Sequence, residues 1–442
     1  MIKNKIAIIG AGYIGLSAAS LLRSKGYQVT IFEGSGSVGG LAKGISVDLE
    51  SWTLEPFYHH WFKNEQSIIK LAKEHNLEHL IKTYNPRTTF FLDDVFIPLD
   101  SPHHTLTHPQ LTFVEKLRLI YGLVIIKLSR GWKKFENITV KDWMVSNMGE
   151  GVYRKIWEPM MIGKWGKNHE HISMSWFWAR IYTRTKALMY PDGGFQNFNE
   201  QFATSLLNQG VDIQLNSMVS KIHSSPDRES IKITVNNIQK EFDTILYTSS
   251  PGLLKKITSS LEINYSKLNL DQLEHCSAIS YLFTSNKPVI ENDYWVNIPS
   301  NNTEILENKI PFLVFVQHTN MIPPSHYNGN HVGYCGNYLS SNDIFYNKSD
   351  KEIEEIYIKG IQNLNPNFSS SDIIFSNVAR AEYAQPIIKN NHSKLIPEFD
   401  IYKNKIFWAS MNHVYPWDRG TNYAAEIGKR VALKIHHSIA GR

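Results

Sequence analysis

The chain opens on a short apolar run, Ile6-Ala7-Ile8-Ile9, whose length and β-branched content predict a strand buried on both faces. The period then lengthens. Leu16, Ala19 and Leu22 recur at helical intervals until Gly26, and a second β-rich run, Val29-Thr30-Ile31-Phe32, ends at Glu33. Much further on, the turn Pro191-Asp192-Gly193-Gly194 precedes Phe195, Phe198, Phe202 and Leu206, spaced by three and four residues along one face of a helix that Gly210 ends. Residues 211–215 predict a strand that 219–222 continues. Residues 231–235 and 242–247 read as a hairpin-like pair, and 405–409 as a last strand before a helix carrying Ile427, Val431 and Ile435. Residues 65–80 and 110–189 are rich in helix formers and tryptophan, and 256–400 mix strands with polar loops. Strand and helix alternate, so the fold class predicted is α/β.

Between the first strand and the first helix lie Gly10, Gly12 and Gly15, a complete G-x-G-x-x-G. A glycine triplet alone is a weak signal, but this one has its strand before it, its helix after it and an acid at the end of the next strand. Each part has a physical task. Gly10 permits the tight turn, Gly12 lets a pyrophosphate approach the backbone, and Gly15 lets the helix sit close to the strand. The helix start offers free N–H groups and the positive end of its dipole to phosphate. Glu33, 18 residues beyond Gly15, is placed to accept from a ribose 2′-OH and disfavours a 2′-phosphate there.

The next segment, Ser35-Gly36-Ser37-Val38-Gly39-Gly40-Leu41-Ala42, carries a family resemblance. Glu33 followed by Gly39-Gly40 resembles the FAD site of the amine oxidase, protoporphyrinogen oxidase and phytoene desaturase superfamily, with which UDP-galactopyranose mutase shares its nucleotide fold. The resemblance implies a Rossmann-like FAD-binding domain joined to a mixed α+β substrate lobe with a helical insertion. It implies that Gly39 and Gly40 let the chain pass close to the FAD pyrophosphate. Leu41 stands where many members carry arginine, with Lys43 as the nearby cation. His60-Trp61-Phe62 resembles the segment that returns to the flavin, making His60, and less so His59, a candidate for flavin or substrate contact. Val219 is implied to meet the adenine through its backbone; the other reading is a core valine.

Two further segments complete the resemblance. Arg380, in Arg-Ala-Glu-Tyr, is a candidate for an anionic substrate group, or else a partner of Glu382 or another neighbour. Near the end, Asp418-Arg419-Gly420-Thr421-Asn422 precedes the last helix, whose start is implied to point at the flavin N1–C2 edge. Arg419, Gly420, Thr421 and Asn422 are therefore cofactor candidates; Asp418 is either part of that site or a helix-start residue. Lys164 is a candidate to face the flavin. The three resembling blocks, 1–62, 190–255 and 403–442, are assigned to the FAD-binding domain. Residues 63–189 are left as a helical substrate lobe and 256–402 as a substrate-binding sheet region.

Composition narrows the function further. The net charge of +5 is spread over 442 residues without a dense basic block, which disfavours nucleic acid as the partner. Two cysteines, Cys276 and Cys335, exclude a disulfide scaffold or an iron–sulfur site and fit a reducing cytoplasm. No metal-ligating cluster is visible. Around the 115–128 helix, Arg118, Lys127, Arg130, Lys133 and Lys134 permit docking on an anionic membrane surface, against the plainer reading of a solvated basic helix end. The expectation is an FAD-dependent oxidoreductase that takes hydride from a small-molecule C–H next to nitrogen or oxygen, or in a ring. A flavin-dependent mutase of nucleotide-linked sugars, or a non-catalytic binder of the same fold, is the alternative.

Overall fold

The computed structural model of the protein describes residues 4–48, 51–98, 102–224 and 230–441; positions 1–3, 49–50, 99–101, 225–229 and 442 lie outside it. The opening unit forms as its pattern predicts. Strand β1 (Lys5–Ile9) leads into helix α1 (Tyr13–Ser24) and strand β2 (Gln28–Phe32), and β1 pairs in parallel with β2. On its other side β1 pairs in parallel with Thr244–Tyr247, which pairs in parallel with Ile406–Trp408. Asp212–Gln214 extends the sheet beyond β2, and antiparallel Asp400–Tyr402 forms the opposite edge. Ile6, Ala7 and Ile8 are fully buried because helices cover one face and a small sheet the other.

On the helical face, α1 packs against the closing helix Thr421–Ala440. A Cβ at Gly428 would run into the Ile14 carbonyl oxygen, so glycine sets the distance of closest approach. The Ser17 hydroxyl donates to the Ala425 carbonyl at 2.8 Å and fixes the register. The helix Gly194–Asn208 buries Phe195, Phe198, Phe202 and Leu206 in the same core. These four side chains are all fully enclosed, as their spacing requires.

Two strand assignments differ from the sequence pattern. Residues 219–222 do not continue the preceding strand. Asn216 turns the chain with φ +50°, and Val219–Ser224 enters a separate three-stranded sheet. There Ile231–Val235 pairs with Ile238–Phe242, through a turn in which Asn236 and Asn237 both have positive φ, as a tight hairpin requires. Thr244–Tyr247, read above as half of a hairpin, belongs instead to the parallel sheet, where its burial on both faces explains its unbroken apolar run.

The second layer is a seven-stranded sheet in the order Ile373–Pro386, His275–Ser285, His331–Leu339, Val314–Gln317, Trp295–Asn297, Thr88–Leu92, Val95–Pro98. Its last two strands come from within the 63–189 stretch expected to be helical. Asp93 and Asp94, with φ +49° and +60°, make the hairpin between them. A third strand of that stretch, Ile81–Tyr84, joins Leu188–Pro191 and Trp61–Phe62 in a small sheet. The helical part of that stretch is thus the helix Gln66–Glu74 and the run 102–183, the latter with a core of Trp143, Trp157, Trp165, Trp176 and Trp178. Among the described residues no helix is long and apolar enough to cross a membrane.

Candidate functional site

The glycine turn can be tested position by position. Gly10 has φ +108°, and a Cβ there would strike the Thr248 hydroxyl, so the turn itself demands glycine. A Cβ on Gly15 would overlap the Gly10 carbonyl. Gly12 is different. Its φ is −78°, which any residue adopts, and a Cβ would find only the Cα of Gly40, 3.8 Å away. The fold does not require glycine at this position. Gly12 and Gly40 pack against each other at the start of α1, where a Cβ on Gly40 would come 3.2 Å from the Gly12 Cα, and no side chain caps the N–H groups of that helix start. Gly39, at φ +117° and against Asn199, sets the bend, and its N–H donates to the Ala11 carbonyl at 2.9 Å. Leu41, next to Gly40 in the chain, is 44% exposed.

Glu33 closes the unit. Its carboxylate accepts from the Ala11 N–H at 2.8 Å and from the Ser35 N–H and hydroxyl at 2.9 and 2.8 Å. Carboxylate oxygens retain lone pairs after three bonds, so the group is oriented and still able to accept. Ser217 donates its N–H to the Glu33 carbonyl at 2.7 Å, which brings the 217–219 segment alongside. The Val219 side chain is buried with Phe32, Ile222 and Val235, so only its backbone is available for recognition.

The closing helix begins at Gly420 without a side-chain cap and with no acid in its first turn. Thr421 and Asn422 were expected to donate to a ring, and the structure restricts both. The Asn422 Oδ1 accepts the Ile68 N–H at 3.0 Å and the side chain is buried. The Thr421 hydroxyl accepts from Trp61 Nε1 at 2.6 Å, leaving its own proton to donate.

Immediately before this helix stands a cluster of charges. Asp418 contacts Arg180 Nη1 at 2.7 Å and Lys164 Nζ at 3.8 Å, and accepts from Trp176 Nε1 at 3.3 Å. It is therefore not a helix cap. Burial pushes its carboxyl up, but Lys164, Arg180 and the two N–H donors outweigh this and hold it below the ordinary value. Burial, opposed by Asp418 and reinforced by Arg180 and Arg419, lowers Lys164 to about 7. The lysine also lies over the rings of Trp165, Trp176 and Tyr338. Arg419 donates to Gln385 Oε1 at 3.2 Å and to the Tyr338 hydroxyl.

Arg380 is not in this cluster. Its guanidinium is engaged by Asp350 at 2.5 Å and by the carbonyls of Tyr346 and Lys348 at 3.0 and 2.6 Å. All three nitrogens brace the start of the helix Asp350–Leu364, which removes it as a catalytic candidate. Gln385, five residues along the same strand, is the one that reaches the site.

His60 lies among Phe62, Tyr294 and Trp295, with Nδ1 3.1 Å from the Tyr294 hydroxyl. Burial, then the nearby Arg184 and His59, depress it to about 3, so it is neutral near pH 7 and is not a proton donor in the imidazolium form. His59 is likewise pushed down to about 4, chiefly by burial. Sequence reasoning missed Glu55, which is 1% exposed and accepts from the Tyr190 hydroxyl at 2.9 Å and the Phe195 N–H at 2.9 Å. Burial raises it to about 7, and Glu65 to about 8. From the unfolded carboxyl value up to these values the folded protein binds more protons, so stability falls as pH rises through that window. Glu55→Gln should flatten the melting temperature against pH between about 4.5 and 7, since one such group contributes at most about 1.4 kcal/mol per pH unit. Glu158, His169 and Glu170 also bring ligand atoms within 4.8 Å of one another, but Lys141 pairs with Glu170 at 2.5 Å.

A parallel sheet, a glycine turn and a second helix start without a side-chain cap form a dinucleotide-binding α/β unit. The flavin containing amine oxidoreductase family matches residues 15–390, and the chain belongs to it. Its cofactor is FAD. A probable zeta-carotene desaturase of Synechococcus elongatus is 29% identical over 35% of this chain and 37% of its own length. A polyenoic fatty acid isomerase of Ptilota filicina is 24% identical over 56% of both. The chain thus spans between about a third and somewhat over half of these relatives. A putative protoporphyrinogen oxidase of Exiguobacterium sp. 255-15 has the same fold, with a TM-score of 0.76, 14% identity and coverage of 98% and 99% of the two chains.

Proposed function

We propose that the protein is an FAD-dependent oxidoreductase that moves hydride from a substrate C–H to the flavin. The observation that carries this reading is Gly12, a glycine that its own φ does not require, packed against Gly40 at a helix start that no side chain caps. Gly10, Gly15 and Gly39 shape the turn, Glu33 receives the ribose, and Val219 offers backbone groups to the adenine. When bound, FAD supplies the electron-pair acceptor at N5. The N–H groups at Gly420–Thr421 favour negative charge on the ring edge they face. Lys164, near neutral pH in its titration, holds or moves a proton beside the reacting carbon, and Asp418 and Arg180 orient it.

The charge of the cluster narrows the substrate. Lys164 and Arg180 face a single carboxylate, Asp418, and the Arg419 guanidinium stands on Gln385 and Tyr338 beside Lys164, in a largely buried setting. A protonated amine would enter as a further cation, and like charges at short range in a low dielectric repel strongly. We therefore favour a neutral or anionic hydride donor with an alcohol or unsaturated C–H, packed on Trp165, Trp176 and Tyr338. The desaturase and fatty acid isomerase names among the relatives support the same direction.

Anaerobic mixing with candidate alcohols, unsaturated fatty acids, polyenes, porphyrinogens and amines tests this. The expected result is bleaching of the visible flavin band by a neutral or anionic member of the set. Activity seen only after dithionite reduction, with no oxidant consumed, would assign isomerase chemistry instead.

A further inference from the structure

The helix Phe113–Leu128 presents an apolar face to solvent. It starts at a complete capping box, with the Thr112 hydroxyl accepting the Glu115 N–H at 3.3 Å and Glu115 accepting the Thr112 N–H at 2.8 Å. One side, Leu119, Gly122 and Ile126, is buried in the tryptophan-rich core. On the opposite side Phe113 is 70% exposed, Val114 59%, Leu117 48%, Tyr121 59%, Val124 47% and Leu128 76%. Spacings of four, four, three and four from 113 to 128 align these side chains into one stripe, an arc of roughly 100°. Scattered exposed apolar residues need no explanation, but a continuous stripe of large ones on a rigid helix does.

The stripe has a basic border. Lys116 and Lys127 fall on one edge by helical spacing and Arg118 on the other, and Arg130, Lys133 and Lys134 stand exposed just past the C-terminal end. The acid within the helix, Glu115, is turned away and held by Lys155. Lys127 also donates to the carbonyls of Tyr182 and Arg184, at 3.3 and 3.2 Å, and Tyr182 continues the exposed surface. Tyr182 lies on the helix Met174–Thr183, the same helix that carries Trp176 and Arg180 into the charged cluster.

We propose that this face docks the protein on an anionic lipid bilayer, with the helix lying in the plane of the interface. An apolar stripe between cationic edges matches the boundary between acyl chains and negative headgroups. At sixteen residues the helix is too short to span. A second copy of the chain is a poorer occupant. A two-fold contact sets the same patch against itself and would bring the basic borders of the two copies together. Docking stands independently of the redox reading. Together they place the wall of the substrate site on the element next to the membrane, suited to a substrate drawn from the bilayer.

The test is co-sedimentation of the flavin-loaded protein with vesicles of phosphatidylcholine alone or with about a third phosphatidylglycerol. Binding is expected to the anionic vesicles and to fall steeply with salt. Leu117→Ser, Tyr121→Ser and Leu128→Ser together should weaken it by roughly tenfold or more, and Arg130→Glu, Lys133→Glu and Lys134→Glu by a similar factor. Both variants should keep the flavin content and melting temperature of the parent, which separates lost docking from lost folding. Absence of binding to every vesicle, or a parent dimer that the serine variant converts to monomer, would overturn the proposal.

Discussion

Gly12→Val should yield a folded but colourless protein. The backbone at Gly12 suits any residue, and the nearest atom to a Cβ is 3.8 Å away, so the fold has room for a small side chain. A valine side chain would nonetheless cover the helix start beside Gly40. Forcing a valine against an incoming pyrophosphate costs about 1–3 kcal/mol from overlap alone, and losing contact with the N–H groups of α1 adds to it. FAD affinity is expected to fall by at least about 100-fold, with the unliganded melting temperature changed little. Gly15→Ala is the contrasting control. Its Cβ meets the Gly10 carbonyl, so that variant should lose stability first and cofactor as a consequence. Fluorescence titration with FAD, beside a melting curve without it, distinguishes the two.

Lys164→Met should leave FAD binding intact and slow flavin reduction by about 100-fold or more, the usual contribution of a positioned proton-handling group. In the parent, the rate of reduction should change through an inflection near pH 7, where Lys164 titrates. The variant should lose that inflection. A second readout follows from linkage. The folded-state value is about 7 and the model-peptide value 10.5, so across this interval the unfolded chain holds a proton that the folded one has released. Stability therefore rises with pH in that window, by at most about 1.4 kcal/mol per pH unit, and Lys164→Met should abolish the rise. A lysine that only packed against Trp165 and Trp176 would change stability without moving the pH profile of reduction.

The nucleotide half of the fold was legible because its physics is local. β1, the glycine turn, α1 and β2 occupy consecutive positions; Gly12 and Gly15 answer to Gly40 and Gly10 nearby, while Gly10 and Gly39 also meet the distant Thr248 and Asn199. The charged site was not legible because its parts are distant. Lys164, Arg180, Gln385 and Arg419 come from four elements and meet only after the helical segment folds over the closing helix. Arg380 and Gln385 lie on one strand, and spacing alone could not tell which reaches the cluster. A missed signal did exist at Asp93-Asp94. Between Thr88–Leu92 and Val95–Pro98, both rich in strand formers, that pair supplies the left-handed turn of a hairpin. The amphipathic reading of the 113–128 helix was half available. The sequence shows that the helix is apolar; only packing shows that Leu119 and Ile126 face inward while Leu117 and Leu128 do not.

The most direct test of the account is the absorption spectrum of the purified protein, taken before and after acid denaturation. The expected result is the visible bands of a bound flavin and release of stoichiometric FAD into the supernatant, with both cysteines, Cys276 and Cys335, free and buried. A colourless protein that takes up no added FAD, or one that binds a nicotinamide nucleotide in its place, would contradict it.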